Sequence, residues 1–502
     1  MGIEIERERF DEADVPPFRE RLETGLSALE ALLRRPGFGR GAPSIGAELE
    51  LYLVGPDERP LAINREVQEA CGDPRVALEL NRFNLECDLR PVPLAGRPFS
   101  GLEEEMRSAL DLVRRAAAAR GAEVVMIGIL PTLREGDLRR SAMTDSARFR
   151  ALSAGLLRLR GEPLRLRVDG EEPLEMLCDD VTFEGGATSL QIHLRTDPGD
   201  FAPTFNAVQL ATAPVLAACG NSPILLGRAL WEETRIVLFK HAVDDRSEAR
   251  RRAGHLPRVE LGGGWLRDGP LELFEQGVRL HEPLLPVVGD EDVMACVEAG
   301  GVPRLEELRL HLGTVWHWNR GVYDPALGGH LRIEMRALPA GPTPIDMLAN
   351  TAVLVGLALG LAPEIDAWTR ALAFEEARTN FYRAAQHGLA ASLVFPPRPG
   401  AAPAERNARD LLLNFLPLAQ RGLESAGVER EEAESLLQVI RERVERGRTG
   451  AAWQRRALRA ARARLAPEAA LAELVARYHR HSASGEPVHR WPEWDGEWDA
   501  AE

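Results

Sequence analysis

The sequence predicts an α+β protein: a strand-rich first part interleaved with amphipathic helices, then a region that is almost entirely helical. Three observations carry that prediction. Four short segments between residues 44 and 338 alternate between apolar and polar residues, the period of a strand with two unlike faces. Helical spacing fills the intervals between them, as in residues 102–120 and 205–218. From about Thr343 the alternation ends and helical spacing takes over.

Taken in order, Phe18, Leu22, Leu26, Leu29 and Leu33 recur at spacings of three and four and predict a helix over residues 1–35, within an N-terminal helical segment 1–40. Pro36, Gly37 and Gly39 break it. In residues 47–54, Glu48, Glu50 and Tyr52 share one face and Leu49, Leu51 and Leu53 the other. In residues 83–90, Asn84, Glu86, Asp88 and Arg90 oppose Phe83, Leu85, Cys87 and Leu89. The arginine-rich stretch 134–170 reads as a long loop with a short helix. In residues 188–195, Gln191, His193 and Arg195 oppose Leu190, Ile192 and Leu194. In residues 331–337, Arg332, Glu334 and Arg336 oppose Leu331, Ile333, Met335 and Ala337.

The longest apolar run, residues 347–362, is interrupted by Asn350 and is shorter than the ~20 residues that span a bilayer, so it reads as a buried core helix. A Pro/Ala break at 396–403 separates residues 344–393 from a last helical region, 407–478. The expected division is therefore a main domain over 41–400, a helical region over 401–485 and a poorly ordered, acidic, tryptophan-rich tail over 486–502.

Composition excludes several classes of partner. With 502 residues and a formal net charge of −15, the chain is a poor match to nucleic acid or to an anionic membrane surface. The first residues, MGIEIERERFDEADV, contain no apolar stretch of a secretory signal. Its five cysteines (Cys71, Cys87, Cys178, Cys219 and Cys296) form no CxxC pair, which fits reduced thiols in a cytoplasmic protein. The sequence leaves the oligomeric state open, a homo-oligomer included. Lys240 is the only lysine, so no GxxxxGK phosphate loop exists. Any bound phosphate falls to arginine, to metal or to backbone N–H groups.

A single alternating strand with a charged face reads most simply as a sheet wetted on one side. The four faces together carry more than that. They concentrate carboxylates, one imidazole and paired arginines, and clustered carboxylates repel one another unless cations lie between them. Facing one cavity, such groups make oxygen-rich sites suited to Mg²⁺ or Mn²⁺, with arginines for phosphate oxygens. His311, His317 and His330 are scattered around Trp316 and Trp318 and receive no role, and His241 reads as surface.

Six motifs in order resemble those of the glutamate–cysteine ligase family. SIGAELELYLV resembles its GxExE strand, and ELNRFNLECDLRP the next motif, with Glu79 and Glu86 seven residues apart. SLQIHL is similar to the strand ending in a metal-binding histidine, ACGNSP to an Ala-Asn-Ser-Pro turn, and HLRIEMRALP to the closing strand. MTDSARF is a looser match to a loop carrying an arginine.

The resemblance implies the curved antiparallel sheet of glutamine synthetase, two or more Mg²⁺ ions (or Mn²⁺), and ATP-dependent joining of a carboxylate to an amine through an acyl phosphate. Glu50, Glu79 and Glu86 would hold one ion, and Glu48, His193 and Glu334 another. Arg332 and Arg336 would contact the transferring phosphate, and Arg148 and Gln191 the substrate. Glutamate plus cysteine, the first step of glutathione biosynthesis, is the leading substrate pair, and another amino acid, peptide or amine is the alternative. A degenerate nucleotide-binding regulator is the third reading, opposed by the presence of all six ligand residues. Two departures stand out: Gln191 replaces the first histidine of a His-x-His pair, and Asp145 replaces a proline ahead of Arg148. Asp88 and Glu79 are both admissible as general base.

Overall fold

The structure, a computed structural model, describes residues 5–178 and 181–492. Its strands are β1 (Ser44–Val54), β2 (Val76–Leu78), β3 (Asn84–Pro93), β4 (Glu123–Val125), β5 (Leu164–Val168), β6 (Leu174–Cys178), β7 (Leu190–Thr196), β8 (Ile224–Leu225), β9 (Arg228–Ala229), β10 (Asn319–Asp324), β11 (His330–Met335), β12 (Ser392–Phe395) and β13 (Ala404–Asn407). Seven of them form one curved antiparallel sheet in the order β10–β11–β7–β1–β3–β2, with β4 also paired to β1. The remaining six make three two-stranded hairpins.

The sheet is built as the alternation predicts. Leu49, Leu51, Leu85, Cys87, Ile192, Leu194, Leu331, Ile333 and Met335 are buried on one face, which leaves their charged neighbours on the other. Two core helices, Phe201–Cys219 and Pro344–Leu361, pack on each other and on the sheet, and Pro98–Ala118 packs on β3. The first of these helices is buried on nearly every side, its Thr204, Asn206, Gln209 and Thr212 included, the pattern of a helix with no solvent face. Pro344–Ala371 is one helical stretch long and apolar enough to cross a membrane, and 78% of its apolar window is buried inside the protein.

Four features differ from the sequence expectation. The first helix begins at Val15, so the described residues before it are not helical, and Leu32 is buried where Leu33 is only half-buried. The stretch 134–170 contains β5, whose Leu164, Leu166 and Val168 alternate with exposed arginines; the arginines hid a strand. The break at 396–403 is the loop of the β12–β13 hairpin, which lies inside a region expected to be helical throughout. Within the expected tail, Trp491 is buried against Trp453 and Tyr478, because three aromatic edges and faces make a favourable cluster. The rest of that tail, 493–502, lies outside the described residues.

The C-terminal helices are fastened to the core. Ala408–Ser425 crosses Pro344–Leu361 so closely that a Cβ on Gly422 would lie 2.0 Å from the Gly356 carbonyl oxygen. Tyr478, in the helix Pro467–Ala483, donates its hydroxyl to the Met126 carbonyl (2.8 Å) and accepts from Asn221 Nδ2 (2.8 Å). Gln454 donates to Asn221 Oδ1 at 2.8 Å. The lone lysine is also tied down: Lys240 Nζ donates to Glu260 (2.8 Å) and to the Tyr382 hydroxyl (2.6 Å), which in turn donates to Glu260 (2.7 Å).

Candidate active site

Strand register brings the charged residues together. Arg320 of β10 lies opposite Glu334 of β11, which lies opposite His193 of β7. Gln191 lies opposite Glu48 of β1, and Glu48 opposite Asp88 of β3. Glu50 lies opposite Glu86. Directly opposed residues project to one side, so these rows face a common space. Glu79 reaches it from the turn after β2, where Asn64 and Thr144 pin the chain: Asn64 Nδ2 donates to Thr144 Oγ1 (2.9 Å), and the Thr144 amide donates to the Leu80 carbonyl (2.8 Å).

The space is a cavity of about 720 Å³. All ten residues that the resemblance gave a metal, phosphate or substrate role line it: Glu48, Glu50, Glu79, Glu86, Arg148, Gln191, His193, Arg332, Glu334 and Arg336; Asp88, the other candidate base, is not among the lining residues. Apolar side chains line it as well, among them Phe149, Leu152, Phe274, Leu312 and Trp316.

Within it, Glu48, His193 and Glu334 form one set of three donors, and Glu50, Glu79 and Glu86 another. In each set the ligand atoms lie within 4.8 Å of one another. Glu48, Glu86 and Asp88 make a third, overlapping set. His193 Nε2 stands 3.1 Å from Glu48 Oε1. Glu50 accepts from the Ser189 amide (2.6 Å), Ser189 Oγ (3.0 Å) and Gln191 Nε2 (2.9 Å). Gln191 is buried, and its carbonyl oxygen accepts from Arg336. Arg336 also contacts Glu334. Arg332 reaches Asp324 at 3.4 Å. Arg148 sits in the first turn of the helix Ala147–Arg160.

The charges on these groups are uneven. Burial opposes ionisation of Glu334, but Arg320 and Arg336 outweigh it and hold the carboxyl well below the usual range. Burial likewise opposes the charge on Glu48, and His193 overcomes it, leaving that carboxyl at about 2. In the other set burial wins: Glu50 is raised although Arg336, Arg235 and Ser189 work against it. Burial, then the charges of Glu48 and Glu79, push Glu86 well up, and burial with Glu50 pushes Glu79 to about 7. Crowded carboxylate oxygens with one imidazole are a donor set that fits hard divalent cations.

Among the cavity residues that escaped the sequence reading, Arg320 and Glu184 bear most directly on its charge. Arg320 grips Glu334 with both arms, Nε to Oε2 at 2.6 Å and Nη2 to Oε1 at 3.0 Å. Its strand carries too little alternation to be placed, and its partner is fixed only by register. Glu184, in a short turn ahead of β7, also lines the cavity; the TFEGG segment has no periodicity that could have marked it. Contrary to the surface reading, His241 is half-buried, and burial holds its imidazole down at about 4.

The sequence pattern of glutamate–cysteine ligase family 2 matches residues 44–476. The chain belongs to that family. It is an ATP-dependent ligase of the glutamate–cysteine ligase type. The match continues through most of the helical C-terminal region, for which the sequence motifs offered no counterpart. The fold is similar to that of the glutamate–cysteine ligase of Francisella tularensis, solved in complex with AMP: the TM-score is 0.54 at 11% identity, over 89% of this chain and 90% of that one. A bifunctional glutathione synthetase from Pasteurella multocida shows a weaker likeness, with TM-score 0.45 at 12% identity, over 92% of this chain and 55% of that one. No curated protein sequence matches this one.

Proposed function

We propose that the enzyme transfers the γ-phosphoryl group of ATP to a substrate carboxylate, releasing ADP, and that an amine then attacks the acyl carbon of this acyl phosphate and expels phosphate, with glutamate and cysteine as the leading pair. The observation that carries this reading is the meeting of two three-donor sets with Arg332 and Arg336 in one cavity. Glu50, Glu79 and Glu86 would hold one divalent ion, and Glu48, His193 and Glu334 a second. Such ions would offset the negative charge of the phosphate groups.

The protein's own groups supply orientation and fixed charge. Arg336, pinned by Glu334 and Gln191, and Arg332 are aimed where the transferring phosphate would lie, and fixed cations act most strongly once water is excluded. Gln191 joins Glu50 to Arg336, so it sets the distance between an ion ligand and a phosphate contact. Arg148 faces the cavity from the helix side and is the candidate for a substrate carboxylate. The cavity's apolar side chains would receive the adenine ring and the less polar parts of the substrates.

Phosphate release from ATP tests the reading, measured with Mg²⁺, glutamate and a panel of single amines that includes cysteine. Release should require both glutamate and one amine, and Glu50→Gln should abolish it. Nucleotide binding without release from any pair would remove glutamate from the assignment and favour a regulatory role.

A further inference from the structure

The carboxylates of the cavity are almost all spoken for. Glu48 is joined to His193, Glu50 to Ser189 and Gln191, and Glu334 to Arg320 and Arg336. Glu79 and Glu86 belong to the three-donor sets. Glu184 differs on every count. Its carboxylate lines the cavity, stands in none of the three-donor sets found among the described residues, and has no hydrogen-bond or ion-pair partner among them. Burial raises its proton affinity well above the ordinary value, followed by the charges of Glu79 and Glu50, while Arg336 works the other way.

The backbone that presents Glu184 is held on both sides. Its amide donates to the Val181 carbonyl (2.9 Å) and its carbonyl accepts from the Ala187 amide (2.9 Å). A Cβ on Gly185 would lie 2.5 Å from Asn81, so the turn is pressed against that side chain. Asn81 Nδ2 donates to the Thr182 carbonyl at 2.8 Å, which ties the turn to the segment carrying Glu79. Tyr52 donates to the Gly186 carbonyl at 2.8 Å. A carboxyl group presented to the cavity by so fixed a turn, with no partner of its own among the described residues, is complementary to a cation brought by a ligand, whose charge would draw it into the ionised form.

We propose that Glu184 is a substrate-recognition residue, binding the ammonium group of a substrate directly. This rests on the ligase reading and narrows it: at least one substrate is recognised by its free amino group. The ammonium can come from either of two sources, the α-amino group of the acyl donor or the incoming amine.

The test compares the wild-type enzyme with Glu184→Gln at neutral pH, with Mg²⁺ and ATP. Gln has the same shape and removes only the charge; thermal melting and ATP affinity should be unchanged. Glutamate is set against glutarate, which lacks the ammonium, and the preferred amine against hydroxylamine, which is uncharged at neutral pH. If Glu184 holds the donor, the variant should lose about 10- to 100-fold in kcat/KM for glutamate and little for glutarate. If it holds the acceptor, the same loss should fall on the charged amine and spare hydroxylamine. Equal losses on all substrates, a changed Mg²⁺ requirement as the sole effect, or no loss at all would overturn the proposal. Direct calorimetric titration of both proteins with glutamate and glutarate reads the same selectivity without turnover. A wild type that binds glutamate better than glutarate through Glu184 but releases no phosphate would remove the ligase reading and leave this one standing.

Discussion

Arg320 shows what a single side chain does here. Glu334 is offered to the cavity only because two guanidinium groups compensate its burial, and Arg320 does so through a two-pronged contact. Arg320→Lys keeps the charge but loses the fork, which a point cation cannot reproduce. Turnover should fall about 10- to 100-fold while the melting temperature stays near wild type; an unchanged rate would show that the fork is ornamental. His311 makes a different point. It is fully buried, its Nε2 contacts the Gly277 carbonyl at 3.0 Å, and burial holds its imidazole at about 3. Below about pH 6.5 the unfolded chain takes up a proton there that the folded chain refuses, so stability drains away as pH falls toward that lower value. Between pH 6 and 4, His311→Gln should flatten the fall in urea-unfolding free energy by about 1.4 kcal/mol per pH unit. Parallel curves would place the acid sensitivity elsewhere.

Among elements, alternation was the strongest signal in the sequence. It placed Glu48, Glu50, Glu86, His193 and Glu334 on one face because a strand sorts its residues by parity, whatever its neighbours are. Partners were harder. Glu79 and Arg148 sit on turns and helix starts and were reached only through the family resemblance, while Glu184 and Arg320 carried no local signature at all. Which strand lies beside which depends on contacts far apart in the chain, and no periodicity records them. The β12–β13 hairpin and β5 were missed because they are short and their proline or arginine content obscures the alternation. Helix crossing is legible only in the structure. Gly422 lets two backbones meet, and Gly422→Val would drive methyl groups into the Gly356 carbonyl. Destabilisation of about 1–3 kcal/mol is expected by chemical denaturation; a neutral result would mean that the helices separate at little cost.

Over the whole molecule, the sheet and the C-terminal helices depend on one another. Asn221, in the turn that follows the first core helix, is shared by Tyr478, Gln454 and the Ala340 carbonyl. Tyr478→Phe leaves the Met126 carbonyl without that donor and takes an acceptor from Asn221. It should lower stability by about 1–3 kcal/mol and, if the parts fold as a unit, do so in a single transition. Two transitions would instead mean that the last helices unfold on their own.

The lone lysine has a consequence for how this molecule meets a protease. A lysine-specific endoprotease has one site in all 502 residues, and the triangle with Glu260 and Tyr382 closes it off. Native chains should resist such cleavage, and each molecule that opens around Lys240 should be cut once. The result would be two fragments of nearly equal size, so a gel lane becomes a direct count of opened molecules.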